Sequence, residues 1–294
     1  MQKKFSITIQ PQDVGKRIDQ IALDGISRSQ IIKYGVFEKK QTQYPGKTKV
    51  QEGEAWEIII SLPQGLHLEP WDANLQVLYD SKTWAVVKKP YGVSVHPSPS
   101  DQSSQTMVHA LLHHFGASLA DHYDEIDGAQ IPKLGLVHRL DKTTSGLLLI
   151  AKTNETLAYF QQHWKSVDKF YTAIVQGTPP VKGKIEAALD RDRKDRTKMA
   201  VVPDGQGKPS LTTFEKIDGN EKKSKLWVEL HTGRTHQIRI HLSAIGFPII
   251  GDELYGGAKA DRILLHATKL VIPDPDNKEK KVEVECNPPG EFLV

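Results

Sequence analysis

Apolar and polar residues alternate at Phe5, Ile7 and Ile9, which predicts a half-buried strand at the start of the chain. Val14–Leu23 and Ser27–Tyr34 carry helix-like spacing, and Val50 with Trp56–Ile60 reads as closing strands. Together these make a small α/β unit over residues 1–62. Ser61-Leu62-Pro63-Gln64-Gly65 breaks the pattern, so a domain boundary is expected there, with domains 1–64 and 65–294. Beyond it, Gln76–Tyr79, Trp84–Val87, Leu136–Val137, Leu147–Ala151, Tyr171–Val175 and Leu226–Leu230 read as strands. Val108–Phe115 reads as a helix. Asn154 is a candidate cap for a helix that aligns Leu157, Phe160 and Trp164, and Thr235 for one that aligns Ile238, Leu242 and Ile245. Residues 96–100 and the acidic stretch 117–131 read as loops. Strands outnumber long helices, which predicts an α+β fold with a mostly antiparallel or mixed sheet.

Composition narrows the function classes. The 294 residues are 38% hydrophobic and 26% charged, as in ordinary globular proteins. The single cysteine, Cys286, excludes an intrachain disulfide and a cysteine-rich zinc site. No apolar run approaches the ~18 residues of a membrane helix. Met1–Ser6 carries no apolar leader segment, which points to the cytoplasm, with a monomer as the expected state. Net charge is +3, and residues 1–62 hold all of it, with ten Lys/Arg against seven Asp/Glu. A small basic module on a neutral body suits a partner that carries phosphates.

Two segments concentrate reactive side chains. In Gly135–Leu147, His138, Arg139, Asp141 and Lys142 lie between apolar strands. A carboxylate there suits a nucleophile or general base, and a neighbouring arginine favours its ionised form; a salt-bridged turn is the plainer reading. In Thr232–His241 a strand passes into a helix whose free N–H groups, with Arg234, His236, Arg239 and His241, suit an anion. The two histidines lack the spacing of a metal-binding HExxH pair. Tyr171 suits base stacking or proton transfer, and the run Asp190–Lys198 is either a solvated loop or a grip on a phosphate backbone. No GxxxxGK[ST] loop or GxSxG elbow occurs, and HRLD at 138–141 is neither in the kinase order nor followed by DFG.

HRLDKTTSGLLLIAK (138–152) and TGRTHQIRIHLSAIGFPIIGDELYGG (232–257) together resemble the signatures of the RluA-type pseudouridine synthases. VVKKPYGVSVHP, KFYTAIVQG and RILLHATKL extend the likeness over residues 75–290. Residues 15–60 resemble the S-four RNA-binding module, with Ser27–Ile32 matching its recognition helix. The resemblance implies a pseudouridine synthase fold and a cofactor-free, metal-free isomerase that extrudes uridine from RNA. It implies that Asp141, Tyr171 and Arg239 are catalytic: Asp141 attacks C1′ or takes a C2′ proton, Arg239 pairs with it, and Tyr171 stacks on uracil. It implies that Arg139, Arg234, His236, Gln237 and Leu265 contact the substrate, and that Lys89 and His96 sit on RNA-facing loops. The expected partner is large-subunit ribosomal RNA. The alternatives are the same chemistry on tRNA, a non-catalytic RNA-binding assembly factor, and a hydrolase that pairs Asp141 with Asp252 or Glu253.

Overall fold

The computed structural model describes residues 2–23, 31, 32, 35–61, 68–97, 104–120, 123–126, 129–132, 134–193, 195, 198–277 and 279–294. These form two compact units. One runs through residue 68 and includes a later hairpin; the other takes in the remainder from residue 69.

The smaller unit is an antiparallel sheet of β1 (Gln2–Thr8), β2 (Gly35–Lys39), β3 (Thr42–Tyr44) and β4 (Ala55–Ser61), in the order β1-β4-β2-β3. Its strand period of two buries Trp56, Ile58 and Ile60 on one side, over Ile9, Ile18, Phe37 and Val50. The helix expected over Val14–Leu23 does not form. Short 3-10 turns at Pro11–Asp13 and Ile18–Gln20 stand in its place. The reason is tertiary: the N–H groups of Gly15, Ile18 and Asp19 donate to the carbonyls of Val50, Thr48 and Gly46 rather than along a helix. Most of Ser27–Tyr34 lies outside the described residues; Ile31 and Ile32 are helical.

The larger unit is built on a ten-stranded sheet. Its strands are β5 (Val77–Asp80), β6 (Trp84–Lys89), β9 (Ser145–Ala151), β10 (Asp168–Gln176), β11 (Lys182–Arg191), β12 (Met199–Val202), β13 (Lys208–Gly219), β14 (Lys223–Leu230), β15 (Leu265–Pro273) and β16 (Lys281–Glu285). The order is β12-β11-β13-β14-β10-β15-β9-β6-β5, with β16 paired to β15. Every pairing is antiparallel except β9 with β15. The expectation of a mixed, mostly antiparallel α+β sheet therefore holds.

Among the described residues, three α-helices accompany it: α1 (Met107–Phe115), α2 (Asn154–His163) and α3 (Gln237–Ala244). Thr153, rather than Asn154, caps α2 by accepting from the Thr156 N–H at 3.2 Å. The acidic stretch expected to be a loop contains a hairpin of β7 (Tyr123–Ile126) and β8 (Ala129–Pro132). Leu136 makes a single bridge to Ile150 rather than a full strand. Trp84, Val86, Leu147, Leu149, Phe160, Leu270 and Ile272 form a continuous apolar core. β9 is buried along its whole length, so its sequence reads as an unbroken apolar run.

Candidate active site

The parallel pairing of β9 and β15 places the starts of both strands at one end of the sheet. The polar turn before β9 and Leu265 at the head of β15 therefore meet. Gly146 makes this possible. Its φ is +114°, and a Cβ there would lie 2.2 Å from the Ala267 carbonyl oxygen. Ser145 and Gly146 stand beside His266 and Ala267, and Tyr171 stands opposite Ala267 on the antiparallel β10.

The turn carrying Asp141 is fixed along its backbone. The Thr144 N–H donates to the Asp141 carbonyl at 3.0 Å, and the Gly92 N–H donates to the Lys142 carbonyl at 2.9 Å. Upstream, His138 Nε2 accepts the Leu149 N–H at 2.9 Å while its ring stacks on Trp164. Burial lowers the His138 pKa to about 3, so His138 is a neutral staple rather than an acid or base. Lys89 was expected on an RNA-facing loop, but it is fully buried. Its Nζ donates to the carbonyls of Pro90 (2.8 Å), Val93 (2.7 Å) and Lys142 (3.2 Å), which ties two loops together. Burial pulls its pKa down to about 7, opposed by the Asp141 charge.

The second wall is the entrance of α3. The expected cap, Thr235, gives way to His236, which adopts a left-handed backbone with φ 57° and ψ 17°. Gln237 locks this entrance. Its Oε1 accepts from the Thr232 hydroxyl (2.8 Å) and the Arg234 N–H (3.1 Å). Its Nε2 donates to the Leu211 carbonyl and the Thr212 hydroxyl, both at 3.0 Å. Gln237 lines the cavity, yet both ends of its amide are engaged by protein, so it shapes the entrance instead of offering free hydrogen bonds to a substrate. His241 does not reach the cavity. It is buried between the hydroxyls of Ser210 (2.9 Å) and Thr212 (3.0 Å), with its pKa lowered to about 4 by burial.

All eight sequence-predicted site residues line one cavity of about 120 Å³: Asp141, Tyr171, Arg239, Arg139, Arg234, His236, Gln237 and Leu265. Arg239 is buried and directs Nε and Nη2 at the two Asp252 carboxylate oxygens, at 2.7 and 2.8 Å. This bidentate grip leaves Nη1 3.6 Å from Asp141 Oδ2. His236 Nε2 is 3.8 Å from the same oxygen. Positive charge thus faces Asp141 without closing a short ion pair on it. Tyr171 and Leu265 are buried beside it. Burial, with the Asp141 charge added, pushes the Tyr171 pKa well above the ordinary phenol range, so its ring is neutral at neutral pH. Arg139 and Arg234 are exposed at the rim, where cations suit phosphate.

Sequence reasoning named Asp252 only as the second carboxylate of a hydrolase, missed its pairing with Arg239, and passed over Tyr255. Asp252 is fully buried against Arg239 and absent from the cavity lining. Among the described residues, Asp141 is the one carboxylate that lines the cavity. A two-carboxylate hydrolase therefore lacks its second group. The only signal that marked Asp252 and Tyr255 in the sequence was their place in the GDELYGG segment.

The RNA pseudouridylate synthase family matches residues 83–244. A ribosomal large subunit pseudouridine synthase D from Zymomonas mobilis is 35% identical, over 98% of this chain and 95% of its own. The Escherichia coli protein of the same name is 31% identical, over 92% and 87%. Among solved structures, human RNA pseudouridylate synthase domain containing 1 is similar with a TM-score of 0.59 and 27% identity, over 77% of this chain and 88% of that one.

Proposed function

The chain belongs to the RNA pseudouridylate synthase family, and on that premise we propose that it isomerises uridines of large-subunit ribosomal RNA, with Asp141 as the catalytic carboxylate. The supporting observation is the cavity itself, where one carboxylate, one buried arginine and one neutral tyrosine converge. Isomerisation breaks the bond from uracil N1 to C1′, turns the base and rejoins it through C5, with the C5 proton lost to solvent and N1 taking up a proton in its place. Asp141 either attacks C1′ or removes the C2′ proton, and both routes use the ionised carboxylate. Arg239 favours that form by its charge, while Asp252 holds the guanidinium in place. The flat, neutral Tyr171 ring suits packing against uracil, and Leu265 closes the apolar side. Arg139 and Arg234 hold the phosphates flanking an extruded nucleotide. The choice of ribosomal RNA rests on the relatives named as large-subunit enzymes.

Residues 1–64 act in this reading as an S-four-like RNA-binding module whose positive charge grips the phosphate backbone. Removing them weakens RNA binding and flattens its salt dependence. The isomerase reading is tested by tritium release from RNA labelled at uracil C5, since each turnover frees one C5 hydrogen to water. Release from unmodified large-subunit ribosomal RNA, and none from unmodified bulk tRNA, is expected. Release from tRNA alone reassigns the substrate, and release from neither contradicts the reading.

A further inference from the structure

We propose that Tyr255 is a positioning residue whose hydroxyl fixes His236 as the Nε2–H tautomer and aims that N–H at the reacting oxygen of Asp141. The inference rests on the function above for its catalytic consequence, and on the hydrogen bonds around the imidazole for the tautomer.

Among the described residues, the Tyr255 hydroxyl has two hydrogen-bond neighbours. The Met199 backbone N–H lies 3.1 Å from it and can only donate. His236 Nδ1 lies 2.8 Å away. The phenolic proton needs an acceptor, and the Nδ1 lone pair supplies one. That leaves the imidazole proton on Nε2, which faces Asp141 Oδ2 at 3.8 Å. The reverse tautomer would turn a nitrogen lone pair towards a carboxylate oxygen, so both ends of the ring favour the same assignment. Tyr255 is a phenol at neutral pH, all the more so because burial raises its pKa, and burial lowers the His236 pKa against the pull of Asp141, which favours the uncharged ring.

The positions of both rings are held by their surroundings. His236 occupies the left-handed region, an uncommon conformation for a residue with a Cβ, and such positions persist where surrounding contacts hold them. Tyr255 is itself held: its carbonyl accepts from the Ser243 hydroxyl at 2.7 Å, and the Arg239 guanidinium lies 5.0 Å from its ring centre. The two sides of the Asp141 environment therefore hang from one segment. Asp252 sets the arginine and Tyr255 sets the histidine. At 3.8 Å the imidazole does not yet bind the carboxylate. It supplies a neutral donor in the right direction, without a proton that would quench the carboxylate.

Two measurements on the full chain test this. Nitrogen-15 NMR of histidine-labelled protein is expected to show His236 protonated at Nε2 in the wild type and as a tautomer mixture in Tyr255→Phe. A wild-type His236 protonated at Nδ1 overturns the proposal whether or not the chain is active. In the tritium assay, Tyr255→Phe is expected to lower kcat about tenfold with KM for RNA within about twofold. His236→Gln carries an amide N–H near the Nε2 position and needs no orienting phenol. Adding Tyr255→Phe to it should therefore cost nothing further. A full tenfold loss in that background means Tyr255 acts through packing alone and contradicts the proposal.

Discussion

The two halves of the large sheet hold their parts of the cavity by different forces. Around β6, β9, β15 and β16 an apolar cluster that includes Trp84, Leu147, Leu149, Phe160 and Leu270 dominates the interior, with Lys89 and the Ser145–His266 pair buried beside it. This half carries the Asp141 turn. Around β13 and α3 the interior is polar: Ser210, Thr212, Gln237 and His241 are all buried and joined by hydrogen bonds. This half carries Arg239 and His236. Apolar packing is non-directional and scales with buried area, so it holds the strands together. Hydrogen bonds are directional, so they fix the angle at which α3 presents its first turn. The Asp141 carboxylate thus rests on a close-packed platform, while Arg239 and His236, which face it, rest on an oriented network.

This contrast is broken most severely at the joint between β9 and β15. Gly146→Ala should destabilise the fold by about 4 kcal/mol or prevent folding, since a Cβ at φ +114° meets backbone 2.2 Å away. Urea denaturation reads this, and an unchanged midpoint would contradict the close approach.

Acid should weaken both halves next. His241 belongs to the polar network, and His266 is buried at the β9–β15 joint, accepting from Ser145 or donating to it at 2.8 Å. Burial lowers both pKa values to about 4. The unfolded chain binds their protons from about pH 6.5 downward, so stability present above 6.5 is lost as pH falls towards 4. At pH 5.5 each group should cost on the order of 1 kcal/mol. His241→Gln should remove its own share of that pH dependence and leave the shares of His266 and His138. An unaltered pH profile in this variant would show that His241 is not the buried neutral base described.

The smallest effect is expected at the turn between β12 and β13. Gly205 also has a positive φ, +82°, but a Cβ there meets nothing within 4 Å. Gly205→Ala should cost only about 1 kcal/mol, the backbone term alone. A loss equal to that at Gly146 would mean that conformational strain, not the close approach, governs both sites.

The same contrast explains what the sequence revealed. β6 and β9 were legible because strands buried on both faces read as apolar runs. β11 and β13 escaped notice. The buried face of β13 includes Ser210 and Thr212, whose hydroxyls find partners only once α3 is in place. The helix expected at Val14–Leu23 failed for a related reason, since its N–H groups are taken by residues 46–50. In the site, Asp141, Arg239 and Tyr171 were visible in motifs, and their convergence follows from the β9–β15 pairing. Tyr255, the pairing of Asp252 with Arg239 and the buried role of Lys89 were not. Their parts depend on distances of a few ångströms between segments far apart in the chain.

The central claim is that Asp141 performs the chemistry rather than holding the RNA. Asp141→Asn keeps the side-chain volume and removes the charge. Tritium release and RNA affinity should be measured on the same preparation of this variant. The account predicts that release falls to background while affinity stays within about twofold of wild type. Release retained at a substantial rate, or release and affinity lost together, would contradict it.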